Sequence, residues 1–486
     1  MVAGKVGMTD DPVHLAGGSA VNEAALVLAA GKGTRMRSRL PKVLHRLAGI
    51  TMLARVLRAL DGVGFARPTI IVGYGAELVR QEAGESALFV VQDQQLGTGH
   101  AVRIGMDSLP AEVQRVLVVN GDEPLLPSQT LRQMLDLQQQ TGARAVLLTT
   151  HLAKTRGFGR VIRNQGGELI ALMQESDLSP EQQTIDEVNL GAYVFDAPFL
   201  RACLARLAPH PPKGEYYVTD VVAMAAEVTE IERPGTAAVT VFGGAEVLGI
   251  NDLVQLEEAT QALYRRTNHR FMASGVTIVN GASTFIGEEV EIEADTVIEP
   301  GTTITGQTRI GRGCVIGPHA YLSDARVGEG CRIVASTVED STLEDGVVVG
   351  PYSHVRGGSH LGRGASIGNF AEINRSAVGS RYKMHHFSYM GDAVVGSEVN
   401  IGAGTVTCNF DGSAKHRTTI EDGAFIGSDT MLRAPVTIGK GASTGAGSVV
   451  TRDVPPGSTV AGVPARIMKE GLTPTPDSDE QLRREG

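Results

Sequence analysis

A chain of 486 residues is too long for one ordinary domain, and a hydrophobic content of 42% is enough to build real cores. Its 44 Lys and Arg against 54 Asp and Glu give a formal charge of −10 without long single-sign blocks, which argues against nucleic acid and against a polybasic membrane anchor. No apolar run approaches the length that spans a bilayer.

The 60 glycines, 4% aromatic content and absence of Trp point to many tight turns, as in a solenoid. Cys203, Cys314, Cys331 and Cys408 have neither metal nor redox spacing and fit a reduced, cytoplasmic setting. Residues 1–24 are Gly-rich, carry Asp10 and Asp11, and read as a disordered extension rather than a secretory signal. Over 25–250, short apolar runs (Ala25 to Ala30, Thr69 to Gly73, Val116 to Val119) alternate with amphipathic stretches such as Met52 to Leu60. This alternation predicts a Rossmann-like α/β domain, a mostly parallel sheet with crossover helices. Residues 251–274 carry one apolar stripe (Leu253, Leu256, Ala259, Leu263) and predict a linker helix.

From 275 to 466 the period becomes six. Ile298, Ile304, Ile310, Ile316 and Leu322 are evenly spaced, and the phase resumes at Val349, Val355, Leu361, Ile367 and Ile373, then at Ile420, Ile426, Leu432 and Ile438. Six residues fit neither a helix nor an endless strand. They fit an all-β coil of three short faces, each with one inward aliphatic residue, that is, a parallel β-helix of hexapeptide repeats. Between Val406 and Ile420 the segment Thr407 to Arg417 cannot continue the coil, and loops expelled from a solenoid usually carry function. Residues 467–486 read as a loose tail.

The first chemical motif is Leu28-Ala29-Ala30-Gly31-Lys32-Gly33-Thr34-Arg35-Met36, with Pro41-Lys42 beyond. A strand entering a glycine loop presents backbone N–H groups to phosphate, and Arg35 and Lys42 supply charge for a pentavalent phosphorus. The full string resembles the signature of sugar-nucleotide pyrophosphorylases. Gln92 with Gln95-Leu96-Gly97-Thr98-Gly99-His100 resembles the base-recognition segment of the uridylyl-specific members, which implies that Gln92 contacts uracil while Gly97 and Thr98 line the nucleotide. Asn120-Gly121-Asp122 ends a strand, where open α/β sheets bind ligands, and the resemblance makes Asp122 and Asn251 the Mg²⁺ ligands. The same two positions also suit caps of the turn and helix that follow them. Gly159 and Asn189 match sugar-binding segments; the sugar-binding Glu of the family falls on Gln174, with Glu175 one step later, and Gly214 to Asp220 matches a supporting motif.

In the β-helix, Lys383 to Asp392 contains His385-His386 and Tyr389, accompanied by Arg356, Asn374-Arg375, Asn400-Ile401-Gly402-Ala403-Gly404 and the expelled loop. This region resembles the C-terminal half of the bifunctional N-acetylglucosamine-1-phosphate uridylyltransferases/glucosamine-1-phosphate acetyltransferases, and the two resemblances together cover about residues 25–450. They imply a left-handed coil, a homotrimer with acetyl sites between neighbours, and small-molecule substrates: UTP, sugar 1-phosphates and acetyl-CoA. His386 becomes the general base for the sugar amine, a task suited to imidazole. Arg356, Asn374, Tyr389 and Asn400 would hold glucosamine 1-phosphate, with Lys415 also directed at its phosphate. Ala403, Asn409, Phe410, Ser428, Ala446 and Arg466 would meet acetyl-CoA. The product, UDP-N-acetylglucosamine, implies a place in peptidoglycan and lipopolysaccharide synthesis.

Three departures stand out: Asn374 where the family has a phosphate-binding Lys, His385 where it has Gly, and Gly462-Val463-Pro464 in place of a coenzyme-binding Arg. They leave open another amino sugar or nucleotide, or a β-helix that only oligomerises.

Overall fold

The structure, a computed structural model, describes residues 23–153, 155, 157–175, 178–228, 233–241 and 249–470. Of the expected extension, 1–24, residues 1–22 lie outside the described residues, but Glu23 and Ala24 already belong to the first strand; of the expected tail, 467–486, residues 471–486 lie outside, but Ile467 to Lys469 belong to the strand that closes the coil. The chain divides into two compact units, one ending at Ala262 and the other beginning at Leu263.

The first unit is an α/β sheet whose strands are Glu23–Ala29 (β1), Thr69–Val72 (β2), Leu88–Val91 (β3), Arg115–Asn120 (β4), Ala145–His151 (β5), Arg160–Arg163 (β6), Leu169–Met173 (β7), Glu187–Asp196 (β8) and Thr236–Val241 (β9). The main path runs β9-β5-β8-β4-β1-β2-β3, with β6 and β7 as a hairpin against β8. Pairing is parallel along this path except at β8, which runs antiparallel to both β4 and β5.

Val116 to Val119 are buried on both faces. A parallel strand needs such a continuous apolar run when helices cover it above and below. The covers are Met52–Asp61 (α1) and Ser128–Thr141 (α4) on one side, and Thr98–Ser108 (α3), Ala197–Leu204 (α5) and Thr219–Ala226 (α6) on the other, with Ala76–Ala83 (α2) flanking α1. The loops after β1, β3 and β4 all leave from the C-terminal edge of this sheet, which is what assembles the site.

A helix spans Leu253–Ala273 (α7), and its N-cap is Asp252, whose Oδ1 accepts from Gln255 N at 2.9 Å. In the second unit Phe271 packs into the coil's core. Asn268 donates to the carbonyls of Gly281 at 3.2 Å and Thr284 at 3.0 Å, tying the helix end to the first turn.

The coil is a parallel β-helix of three sheets, every coil-to-coil pairing parallel, closed by Ala465–Lys469 turning back antiparallel on Thr459–Gly462. Each short strand alternates inward and outward residues: most place one side chain inward, as Arg309–Ile310 and Thr303–Thr305 do, and in one sheet some place two, as Ser341–Leu343 and Thr418–Ile420 do. The inward column of one sheet is Ile298, Ile316, Ile333, Val349, Ile367, Met384, Ile401 and Ile426, and the six-residue spacing read from the sequence maps onto these columns. Where the phase slips, as from Leu322 to Val327 and from Ile373 to Val378, one corner is a residue shorter. The corners demand positive φ even of non-glycine residues, among them Asp324, Tyr352, Phe370, Arg375 and Asp392.

This architecture makes neighbouring residues unequal. Ile310→Ala removes a buried inward side chain and should cost about 2–5 kcal/mol. Arg309→Ala removes an exposed partner of Glu291 and should cost less than about 1 kcal/mol. Calorimetric melting of both variants checks this; equal losses of Tm would contradict the inward–outward assignment.

Candidate active sites

In the first unit a cavity of about 420 Å³ opens at the C-terminal edge of the sheet, lined by Leu28, Ala29, Ala30, Gly31, Arg35, Lys42, Gln92, Gly97, Thr98, Asp122 and Asn251 among others. The three sequence motifs thus converge on one space. A second cavity of about 430 Å³ shares Arg35, Asn120, Asp122 and Asn251 with it and extends to Gly157, Phe158, Glu175 and Asn189. The two form one cleft with a nucleotide-sized end and a second end under the β6–β7 hairpin.

The charges in the cleft are knotted together. Lys42 is ion-paired to Asp122, and its Nζ donates to Asn251 Oδ1 at 2.9 Å, while Arg35 Nη2 donates to the same oxygen at 2.7 Å. Asn251 is held for this: its backbone N–H donates to Gln255 Oε1 at 2.7 Å and its Nδ2 to Gly249 O at 3.3 Å, and Ile250 N donates to Asp122 O at 3.0 Å. Capping explains neither residue, since Asp252 caps α7 and Asp122 faces Lys42.

Beside them Glu123 is fully buried, and burial, reinforced by the Asp122 charge, pushes its carboxyl up to about 8. Its Oε1 accepts from Asn120 Nδ2 at 2.9 Å and from Gly191 N at 3.1 Å, joining the end of β4 to the middle of β8, where the pairing register of β8 shifts. Gly191 is required there, because a Cβ would lie 1.7 Å from Asn120 Nδ2 and 2.4 Å from Glu123 Oε1.

The glycine loop turns through positive φ at Gly33, where a Cβ would meet Lys42 Cβ at 2.6 Å; the loop and Lys42 are in contact by this route. Gly97 has φ +93° and would strike Tyr216 O at 2.5 Å with any Cβ. Gly99 N donates to Tyr216 O at 2.8 Å, and Val218 N to Thr98 Oγ1 at 3.2 Å. Gly214 to Asp220 therefore braces the base-side loop, and Glu215 and Tyr217 line the nucleotide cavity.

The residues expected on the sugar side are placed unequally. Gln174 is not among the cleft-lining residues; its Nε2 donates to Thr219 Oγ1 at 3.1 Å, away from the space. Glu175 lines the cleft instead and accepts from Gly157 N at 2.9 Å. Gly159 does not line the space either; its carbonyl accepts from Asn189 N at 3.0 Å. Asn189 Nδ2 donates to the buried Tyr193 hydroxyl at 2.7 Å, and its Oδ1 is buried with no hydrogen-bond partner among the described residues. Sequence reasoning missed Glu123 and Gln255, for which no local motif signals a role; Asn120, within the quoted strand-end motif, lines both cavities. Gln95, within the quoted motif, donates to Ala30 O at 3.0 Å and lines the nucleotide end.

In the second unit a groove of about 670 Å³ collects His385, His386, Asn400, Ala403, Ser428 and Ala446. Gly402, Gly427 and Gly445 run beside it, and a Cβ on Gly402 would come within 2.5 Å of Ser428 N, so successive coils meet backbone to backbone. His385 and His386 both line the groove. They sit at a corner just after Lys383–Met384, where strand alternation no longer sends neighbours to opposite sides. His385 Nε2 is 3.1 Å from Ser366 Oγ, while His386 lines the groove together with Ala403, Ser428 and Ala446.

Arg356, Asn374, Tyr389, Asn409, Phe410 and Arg466 are not lining residues of that groove. Arg356 pairs with Glu372 at 2.9 Å. Arg375 holds Asp392 through two bonds of 2.8 Å and donates to Asn374 Oδ1 at 3.1 Å. The Arg375 guanidinium accordingly draws the Asp392 carboxyl below its usual range, against the opposing effect of burial. Asn409 Nδ2 also donates to Asp392, anchoring the expelled loop, in which Phe410 bridges Lys415. Arg466 lies exposed on the closing strand.

The fold and the two sites define a two-domain transferase, a nucleotidyltransferase joined to a hexapeptide-repeat acyltransferase. The family model for MobA-like NTP transferase domains matches residues 25–187, and that for bacterial transferase hexapeptide repeats matches 289–324, 340–375 and 417–452. The bifunctional protein GlmU of Heliobacterium modesticaldum is 46% identical over 435 residues, 89% of this chain and 94% of its own. That of Carboxydothermus hydrogenoformans is 44% identical over 430 residues, 88% and 95% respectively. The chain belongs to the bifunctional GlmU family and is a bifunctional enzyme.

Gly191→Ala should lower nucleotidyl transfer at least about tenfold, because the new methyl must displace Asn120 or Glu123. Acetyl transfer in the other unit should be unchanged. Separate assays of the two half-reactions read this directly.

Proposed function

We propose that the enzyme acetylates glucosamine 1-phosphate with acetyl-CoA and then transfers UMP from UTP to the product, releasing pyrophosphate and giving UDP-N-acetylglucosamine. What carries the reading is the convergence of the glycine loop, the Gln92 segment, Asp122 and Asn251 on one cavity.

In the uridylyl step the sugar phosphate attacks the α-phosphorus of UTP in line, and pyrophosphate leaves. The reaction asks for alignment and charge neutralisation more than for proton transfer. The Gly31 loop offers N–H groups, and Arg35 and Lys42 offer cations to the phosphates; Gln92 reads the base. Asn189 and Glu175 take the sugar, the carboxylate one step from the position expected. The unpartnered Asn189 Oδ1 supports this assignment.

Asp122 and Asn251 fit Mg²⁺: a carboxylate and an amide oxygen, both hard donors, already converge on the single ammonium of Lys42. Among the described residues no cluster of three or more His, Cys, Asp or Glu offers an all-protein cage, so the substrate phosphates and water would have to complete the ion's coordination. Bound there, it would add positive charge against the triphosphate.

In the acetyl step the sugar amine forms a bond to the thioester carbonyl, the C–S bond breaks, and His386 accepts the amine proton, the coenzyme thiol taking up a proton as it leaves. The strip of Ala403, Ser428 and Ala446 suits a thin, extended pantetheine arm. Arg356, Tyr389 and Asn400 bind the acceptor, with Lys415 at its phosphate. A cytoplasmic homotrimer is the proposed working form. The hexapeptide repeats support it, as does the exposed Tyr352–Phe370 stack at 5.4 Å on the coil's corner. Among the described residues no helix is long and apolar enough to cross a membrane.

Asp122→Ala should abolish UTP turnover and leave acetyl transfer intact, and EDTA should reproduce that split; loss of both reactions together would refute the division of labour. His386→Ala should lower acetyl transfer by about 10² to 10⁴-fold without touching uridylylation of supplied N-acetylglucosamine 1-phosphate. Because His385 lines the same groove, His385→Ala is measured alongside. Retained activity in the His386 variant and loss in the His385 variant would reassign the base.

A further inference from the structure

Gln92 is 4% exposed and reaches the wall of the nucleotide cavity. Its Nε2 lies 3.2 Å from Gly97 O and 3.0 Å from His100 Nδ1. The two ends of a glutamine amide have nearly the same shape, so only the partners decide which end is which. Here they decide it. The Gly97 carbonyl can only accept, so the atom facing it is the NH₂ group. His100 Nδ1 must then accept too, which requires a neutral ring with its proton on Nε2. Both amide hydrogens are thereby used, and no bond to Gln92 Oε1 occurs among the described residues, so a carbonyl oxygen remains for a ligand.

Uracil carries a hydrogen at N3 and donates to such an oxygen. Cytosine has a bare acceptor at N3 and is repelled by it.

We propose that His100 is a positioning residue for base choice, locking the Gln92 amide so that its oxygen faces the base and UTP is taken over CTP. This rests on Gln92 being the base contact. His100 is not itself a lining residue of the cavity and acts only through Gln92.

Its surroundings keep the ring in the required neutral form. It sits in the first turn of α3, where the helix N-terminus disfavours a cation. Burial and then the Arg103 guanidinium draw its pKa down, against a weaker upward pull from a backbone hydrogen bond to Gln94. Arg103 is itself held 5.3 Å over the Tyr216 ring, whose centroid lies 6.4 Å from that of His100. Without the imidazole acceptor, only the 3.2 Å bond to Gly97 O would orient the amide.

The test uses the full-length enzyme with N-acetylglucosamine 1-phosphate and Mg²⁺, measuring kcat/KM for UTP and for CTP. His100→Leu and His100→Ala remove the acceptor; His100→Asn returns a carbonyl close to the Nδ1 position. The ratio of UTP to CTP should fall about tenfold in the first two, mainly through KM for UTP, and recover in His100→Asn. Combining Gln92→Ala with His100→Leu should lower the ratio no further than Gln92→Ala alone. The acetyl-transfer rate and Tm report whether each variant is folded.

If folded His100→Leu or His100→Ala keeps the ratio, or loses UTP and CTP alike, the positioning role is overturned. If Gln92→Ala itself keeps the ratio, the reading of Gln92 as the base contact fails instead, and the proposal falls with it.

Discussion

The uridylyl half is organised around one ammonium. Lys42 brings a loop that follows β1, the end of β4 and the segment entering α7 to a single point, by pairing with Asp122 and donating to Asn251. Paired to Lys42, the Asp122 carboxylate is neutralised at rest. On the proposed function the pairing is exchangeable, because nucleotide phosphates would offer Lys42 equivalent acceptors and leave the Asp122 and Asn251 oxygens for Mg²⁺. The glycines around it follow from this crowding. Gly33 has no room for a Cβ against Lys42, and Gly191 none against Asn120 and Glu123.

The β-helix obeys a different constraint, the alternation of inward and outward residues along each short strand. Inward residues from successive coils stack into columns that exclude water. Outward ones form ion pairs between successive coils such as Arg309–Glu291 and Arg356–Glu372, whose contribution at the surface is small. Stability and chemistry are therefore separated by a single residue step along each strand. Thr407 and Ile420 are successive inward positions 13 residues apart instead of six, so the chain can eject a loop without disturbing either column. His386 uses the same freedom differently, since a corner lets it and His385 reach one groove.

Much of this was legible from residue order, because periodicity is a direct image of burial. The six-residue columns and the apolar strands Val116 to Val119 and Thr69 to Val72 followed from it, and the glycine string marked the loop after β1 that lines the first cavity. What periodicity cannot carry is the direction of a side chain in irregular backbone. Register alone assigned the sugar contact to Gln174, but the chain leaves β7 at Met173 and turns Gln174 toward Thr219, bringing Glu175 to the cleft. Glu123 was equally hidden. It looks like a surface acid in sequence, and only the meeting of β4 with β8 shows it buried and bonded to Gly191.

The substitution at 374 is best understood through its neighbours. A lysine there would bring a free positive charge toward the acceptor phosphate; Asn374 instead accepts from Arg375, whose guanidinium is committed to Asp392. Arg375 and Asp392 cancel, so Arg375 does not replace the missing cation on its own. Asp392 also receives Asn409, however, and thereby fixes the root of the expelled loop. At the loop's tip Asp411 accepts from the backbone of Ser413 at 2.8 Å and Ala414 at 2.7 Å, folding the short hairpin in which Phe410 pairs with Lys415. On the proposed assignment, Lys415 is carried by a loop that the Arg375–Asp392 pair holds in place, and its charge also helps draw the Asp392 carboxyl down. The arginine would then serve the phosphate indirectly, by holding the loop that brings Lys415 to it.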